Sequence, residues 1–157
     1  MFGEPGKQHE WLKQFVGEWT FSSECDMGPD KPRETFTGRE SVSMLGPFWA
    51  IFEGEGEMLG GGTGHTRMTL GYDPAKGYLG TWVGSMMPFM WVYAGTLSED
   101  ERVLTLVTEG PNFSGDGMTT YHDVITVVSA DERILTSRVK NDDGSWKEFV
   151  WVRYRRA

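Results

Sequence analysis

The chain is poor in cysteine and histidine, short of positive charge, and without a long apolar run. Each shortage removes a class of function. A single cysteine, Cys25, rules out an internal disulfide. The histidines, His9, His65 and His122, lack the close ligand spacing of a zinc site. A net charge of −8 leaves no basic face for phosphate backbones or an anionic bilayer, so neither nucleic acid nor membrane is an expected partner. No stretch approaches the roughly 18 apolar residues of a membrane-spanning helix. The opening run, Met-Phe-Gly-Glu-Pro-Gly-Lys-Gln-His-Glu, has no basic segment followed by an apolar one. No secretory signal is therefore expected, and with the lone cysteine this predicts a cytoplasmic protein. There is no Gly-x-Ser-x-Gly elbow. Gly60-Gly-Gly-Thr-Gly64 lacks the lysine and following helix of a phosphate loop and reads as a turn. Cys25 stands between Glu24 and Asp26, whose charges disfavour the thiolate, so it is a poor nucleophile.

What is abundant is glycine and large apolar side chains: 21 Gly, 7 Trp, 9 Phe and 9 Met. Many glycines permit tight turns and bent strands, and many aromatics fill a tapered interior, which together suit a small barrel. From Lys7 to Val16, Trp11, Leu12, Phe15 and Val16 recur at helical spacing, and Gly17 is a stop. This predicts one short helix, over residues 6–16, packed as a plug on a barrel end. From Gly17 the period changes to two. Trp19, Phe21 and Ser23 alternate with Thr20, Ser22 and Glu24, and Trp19 is placed to seal one end. Phe36, Gly38, Glu40, Val42 and Met44 share a face opposite Thr35, Thr37, Arg39, Ser41 and Ser43. Turn signals at Met27–Pro32, Gly46-Pro47, 59–64, 73–77, 86–88, 98–101, 110–117, 130–133 and 141–144 separate ten short strands across residues 17–156. With no second helix to make a crossover, the expectation is an all-β chain in one domain, 1–157: a roughly ten-stranded antiparallel up-and-down meander that closes on itself. A two-sheet sandwich is the rival.

Several residues could carry chemistry. Glu53, Glu55 and Glu57 share a strand face, and His65 and Arg67 share one on the next strand. Facing inward, they could form an acid–base or polar-ligand site. Facing outward, they are a solvated stripe with cross-strand ion pairs, and this is the first reading. His122 faces away from Tyr121 and Asp123, so an adjacent His-Asp catalytic pair is not expected. Arg153, Arg155 and Arg156 read as the solvated end of the last strand. The pocket signal is aromatic: Trp49, Tyr72, Trp82, Met90, Trp91 and Tyr93 fall on neighbouring central strands, and Met86-Met-Pro-Phe-Met-Trp91 has the composition of a portal or rim. Arg39, Arg67 and Arg138 lie mid-strand, where an inward guanidinium could hold a ligand carboxylate. The same aromatic set could equally be packed core with a homodimer patch.

The helix ending in Phe15-Val-Gly-Glu-Trp19 and the meander that follows resemble the calycin superfamily of lipocalins, fatty-acid-binding proteins and nitrobindins. More closely, the chain resembles a bacterial family designated domain of unknown function 1579. The matching features are Leu70-Gly-Tyr-Asp-Pro74 with Gly77-Tyr78, the Trp82 strand, and the Asp143-Gly144 hairpin before a final strand containing Tyr154. The resemblance spans nearly the whole chain. It implies a calycin-like barrel and no particular activity. The expected function is binding of a small ligand, mostly apolar with one polar group, by Trp49, Arg67, Tyr72, Trp82, Met90, Trp91, Tyr93, Arg39 and Arg138, without a cofactor and without an assigned catalytic residue. The likeness to nitrobindins implies the alternative of haem, with His122 or His65 as ligand. A third expectation is an oligomerisation module with no ligand.

Overall fold

A computed structural model describes residues 2–157. An α-helix, α1 (Lys7–Leu12), continues as one turn of 3-10 helix (Lys13–Phe15), and ten strands follow. These are β1 (Gly17–Cys25), β2 (Glu34–Leu45), β3 (Trp49–Glu57), β4 (Thr63–Asp73), β5 (Gly77–Gly84), β6 (Met87–Leu97), β7 (Val103–Pro111), β8 (Met118–Ser129), β9 (Glu132–Lys140) and β10 (Trp146–Arg156). Each strand pairs antiparallel with the next, and β1 pairs with β10, so the sheet closes as a barrel with no free edge. The expected fold is the observed one, and the sandwich is excluded. The helical segment is shorter than its apolar spacing suggests. It tightens at Lys13 and ends at Val16, which is already extended.

Alternation decides what enters the barrel. Trp19, Val42, Ala50, Phe52, Leu70, Leu104, Leu106 and Ile125 face inward and join Leu12 and Phe15 of the helical segment in one core. This core fills the end under the helix. Trp19 is buried there, and its indole N–H donates to the Phe15 carbonyl at 2.8 Å. His9 closes the same end. Its Nδ1 accepts from the Gly6 N–H at 2.9 Å, and its Nε2 lies 2.9 Å from the Tyr72 carbonyl. Arg156 is no solvated tail. Its guanidinium donates to the Val16 carbonyl at 2.8 Å and the Gln14 carbonyl at 3.0 Å, covering the end of the 3-10 turn, and lies 4.2 Å from the Trp19 ring centre.

Beneath this core, Glu40 of β2 meets Arg133 of β9 in a buried ion pair. The guanidinium also sits among rings, 3.9 Å from the centre of Tyr154 and 4.6 Å from that of Trp19. Burial raises the Glu40 carboxyl above its ordinary range, and the charge and hydrogen bond of Arg133 oppose that rise without cancelling it.

β6 begins at Met87, not at Met90 as the turn signal at Pro88 suggests. The reason is a partly open seam. The β6–β7 ladder runs only from Ala94↔Val107 to Leu97↔Leu104, while β6 pairs with β5 as far back as Met87. Pro88 and Pro111 stand on the two strands where this seam opens, and neither has an N–H to contribute to a ladder.

Removing one member of the buried pair leaves the other charge without a partner. Glu40→Leu is expected to lower unfolding free energy by about 3–5 kcal/mol, and adding Arg133→Met is expected to recover most of the loss. Urea unfolding of both single variants and the double variant checks this; simple additivity of the two losses would show that the pair is uncoupled.

Candidate functional site

The half of the barrel away from the helix is hollow. A cavity of about 350 Å³ lies inside it. Met68, Trp82, Trp91, Ile125, Leu135 and Val152 give it apolar walls, and Met87, Tyr121 and Phe149 stand toward the open end. The room exists because glycines occupy inward positions beside large rings. A Cβ on Gly110 would lie 2.0 Å from the Trp91 ring, and one on Gly38 would lie 2.4 Å from the Phe21 ring. Each ring therefore lies flat along the wall in place of its neighbour's side chain. Larger hollows of about 850 and 600 Å³ lie along the outside of β1–β4. They are open to solvent and lined by outward residues such as Thr20, Arg39 and Arg67.

The polar part of the cavity is built on three strands. Asp123 of β8 shares its inward face with Tyr121 and Ile125, and it pairs in register with Ser137 of β9. The Ser137 hydroxyl donates to Oδ1 at 2.6 Å, and the Tyr93 hydroxyl, reaching over β7 from β6, donates to Oδ2 at 2.5 Å. Burial raises the Asp123 carboxyl above its ordinary range, and these two hydrogen bonds only moderate the shift. Asp123 still has accessible surface despite its depth, because the cavity lies beside it. The Thr108 hydroxyl and Nη1 of Arg133 are buried without hydrogen-bond partners among the described residues, and both residues line the same cavity.

Of the expected ligand-binding residues, Trp82, Trp91 and Tyr93 line this cavity, and Met87 of the expected rim segment lines it too. The other expected ligand-binding residues do not. Trp49 lies on the outer face, its ring covering Gly71. Met90 points outward and is 56% exposed. Tyr72 belongs to the helix end, its ring 4.9 Å from that of Tyr78. Arg67 pairs with Glu53 at 3.1 Å and Arg39 with Glu55 at 3.5 Å, both outside, so the carboxylate stripe and its basic partners are cross-strand surface pairs. The reason is register: Glu53 opposes Arg67, and the inward places on β3 belong to Ala50, Phe52, Gly54 and Gly56.

The histidines are also outside the cavity. His65 is exposed on β4. His122 stacks on Trp146 at 4.2 Å and accepts from Arg138 at 2.8 Å, and burial, with the charges of Arg138 and Lys140, lowers its pKa. Among the described residues no histidine or cysteine lines this cavity, so His65 and His122 do not fit the haem-ligand role implied by the likeness to nitrobindins. Among the described residues, no group of three or more His, Cys, Asp or Glu is placed to hold a metal ion. The Cys25 thiol is raised chiefly by burial, with Glu34 adding to the shift and a contact to Ser23 opposing it. It is not an activated nucleophile.

Among the cavity residues that sequence reasoning missed are the polar Glu40, Thr108, Asp123, Arg133, Ser137 and Tyr154. Glu40 was visible in the alternation of β2 with Gly38 and Val42. Asp123 shares a face with Tyr121 and Ile125, but the alternate set on β8 is equally apolar, so its facing was not legible. Arg133 had no signal, since it follows Ala130-Asp-Glu and reads as part of the turn.

A raised carboxyl stabilises the fold below its unfolded pKa, and that contribution is lost as pH rises through its folded pKa. Asp123→Asn is therefore expected to gain thermal stability relative to the natural chain as pH rises from 4.5 to 8. Contributions from Asp26, Asp100 and Asp143, all lowered, are common to both proteins and cancel. Paired melting curves across this range check it; a difference that shrinks with pH contradicts it.

Comparison with known proteins places this geometry in a family. The crystal structure of Rv2717c from M. tuberculosis superposes with a TM-score of 0.65 at 10% identity, covering 98% of this chain and 99% of that one. The structure of EF1p2_mFAP2b bound to DFHBI superposes at 0.51 with 12% identity, covering 96% and 99%. A redesigned beta barrel, b11L5F_LGL, superposes at 0.50 with 10% identity, covering 93% and 94%. At these identities the likeness is one of fold. No curated protein sequence matches the chain. The family model described as "Protein of unknown function (DUF1579)" matches residues 4–156, and the chain belongs to that family.

Proposed function

We infer that this barrel binds one small molecule in its interior, an apolar body with a single polar group. The observation that carries the reading is the interior cavity of about 350 Å³, whose walls are aromatic and aliphatic and which polar groups on three strands line. A chain selected only for stability would fill such a space, because each void forfeits packing energy. It would also not leave buried polar atoms at Thr108 and Arg133 without partners. The seam between β6 and β7, beside Trp91, is a natural way in. A barrel of similar fold is bound to DFHBI, so the architecture can host a ligand; which ligand suits this chain follows from its own residues.

The outer face supports a protein that works in water. Charged pairs such as Arg67–Glu53 and Arg39–Glu55 stand mid-barrel, where a membrane barrel turns an apolar band to lipid. No helix is long and apolar enough to cross a membrane, which by itself says nothing of a barrel. The lone, half-buried Cys25 fits a reducing compartment such as the cytoplasm.

N-phenyl-1-naphthylamine, a neutral apolar fluorophore, is expected to bind saturably at one site with a rise in emission. Leu135→Trp fills the cavity and is expected to weaken that binding more than tenfold while far-UV circular dichroism stays unchanged. Absence of saturable binding, or binding indifferent to the substitution in a folded variant, would count against an interior site.

A further inference from the structure

We propose that the cavity selects an organic cation, an aliphatic or aromatic body ending in a protonated amine whose N–H groups rest on Asp123 and Thr108. This rests on the reading of the barrel as a binding module and specifies the class of its ligand.

The charges inside the barrel carry the argument. The interior holds two carboxylates, Glu40 and Asp123, and one guanidinium, Arg133. Arg133 is matched by Glu40 in a buried pair. Asp123 receives only neutral donors, Tyr93 and Ser137, and forms no salt bridge among the described residues. An ionised carboxylate in an apolar enclosure needs a counter-charge, and without one it retains its proton. A carboxylate has about four acceptor positions, and two are used here, which leaves the others for a ligand N–H. One strand over, the partnerless Thr108 hydroxyl opposes Tyr121 in register and lines the same space, ready to accept a second N–H.

The surroundings favour the same sign. The rings of Trp82, Trp91 and Tyr121 line the cavity, and an ammonium near aromatic rings gains a further attraction that grows when water is excluded. An anionic ligand fares worse. The one cation available to it, Arg133, has its charge matched by Glu40 and is packed among the rings of Tyr154 and Trp19, so its partnerless Nη1 calls for a neutral acceptor, such as a water, and not for a second carboxylate. A ligand carboxylate there would face Glu40 and Asp123 at low dielectric. The arginines that could have received a carboxylate, Arg39, Arg67 and Arg138, stand on the outside of the barrel. Binding also balances in protons. When an ammonium enters, Asp123 gives up its proton to solvent and the pair is left neutral. The titratable and charged groups sharing the cavity with Asp123 are Tyr93, Tyr121, Tyr154, Glu40 and Arg133. The tyrosines keep their protons, because burial raises all three.

Three probes of one shape test the sign: 3-phenylpropylamine, 3-phenylpropanol and 3-phenylpropanoate, each competed against N-phenyl-1-naphthylamine on the full chain at pH 7.5. The amine is expected to bind at least tenfold tighter than the alcohol, and the carboxylate weaker than both. Asp123→Asn is expected to reduce the amine to within about threefold of the alcohol. In the natural chain the preference for amine over alcohol should grow from pH 5 to pH 8, a readout that needs no variant. A carboxylate that binds tightest, a preference that ignores pH, or an Asn variant that keeps the natural ratio overturns the cation assignment. If the naphthylamine binds but none of the three competes, the assignment also fails while the interior site stands. If the naphthylamine itself does not bind, the reading of the barrel as a binding module fails first.

Discussion

The ion pair between Glu40 and Arg133 is the constraint on which the arrangement of this barrel depends. It joins β2 to β9 across the interior, two strands that are not neighbours in the sheet. Two charges deep in a protein must meet each other closely or not be there. Their meeting therefore sets how far apart these walls can stand. Above the pair, toward the helix, the interior is packed with Leu12, Phe15, Phe52 and Leu70. Below it the walls are held apart and the space is left open. The rings of Trp19 and Tyr154 beside the guanidinium form the boundary between the two halves.

The helix has its meaning from that boundary. Six residues of α-helix and one 3-10 turn are too short to be stable alone. They hold because Leu12 and Phe15 enter the core, His9 links to the Tyr72 carbonyl, and Arg156 from the far end of the chain binds the last carbonyls. The first and last segments thus close the same end, and the other end remains the one through which a ligand can pass. The short β6–β7 ladder lies at the helix end, and the stretch of β6 from Met87 to Tyr93 that does not pair with β7 lies toward the second end, so the place where pairing fails coincides with the place where the interior is hollow.

Much of this fold was legible in the sequence, and the reason is periodic. A strand with one wet and one dry face writes its facing in alternate residues, so β1 and β2 could be read directly, as could the outward stripe of Glu53, Glu55 and Glu57. Where both faces carry apolar residues the code is lost. On β6, Met90 and Val92 are as apolar as Trp91 and Tyr93, yet the first two point to solvent. On β8, Tyr121, Asp123 and Ile125 alternate with His122, Val124 and Thr126, and either set could have been inside. Trp49 was misassigned for a related reason: a large ring beside a glycine covers it on whichever face they share, and here Trp49 covers Gly71 outside just as Trp91 covers Gly110 inside. Pairs that depend on three-dimensional closure, such as Glu40 with Arg133 at a separation of 93 residues, have no local signature at all.

That last point bears on how specificity arises in a barrel of this kind. The scaffold is indifferent to the sign of its interior, since apolar rings accept a cation, a neutral ligand or more packing. What differentiates one barrel from another is the balance of a few inward charges, and a single position can reverse it. With Glu40 and Arg133 cancelling, Asp123 is the inward acid left without a counter-charge among the described residues, and in the proposed reading it sets the sign of the ligand. Tyr93 and Ser137 supply hydrogen bonds without charge, which hold the carboxylate in place but do not neutralise it. A lysine or arginine at position 137 would have completed a second ion pair and closed the question. A serine there keeps the carboxyl group oriented without a fixed counter-charge, and this distinguishes the proposed site from a buried structural pair such as Glu40–Arg133.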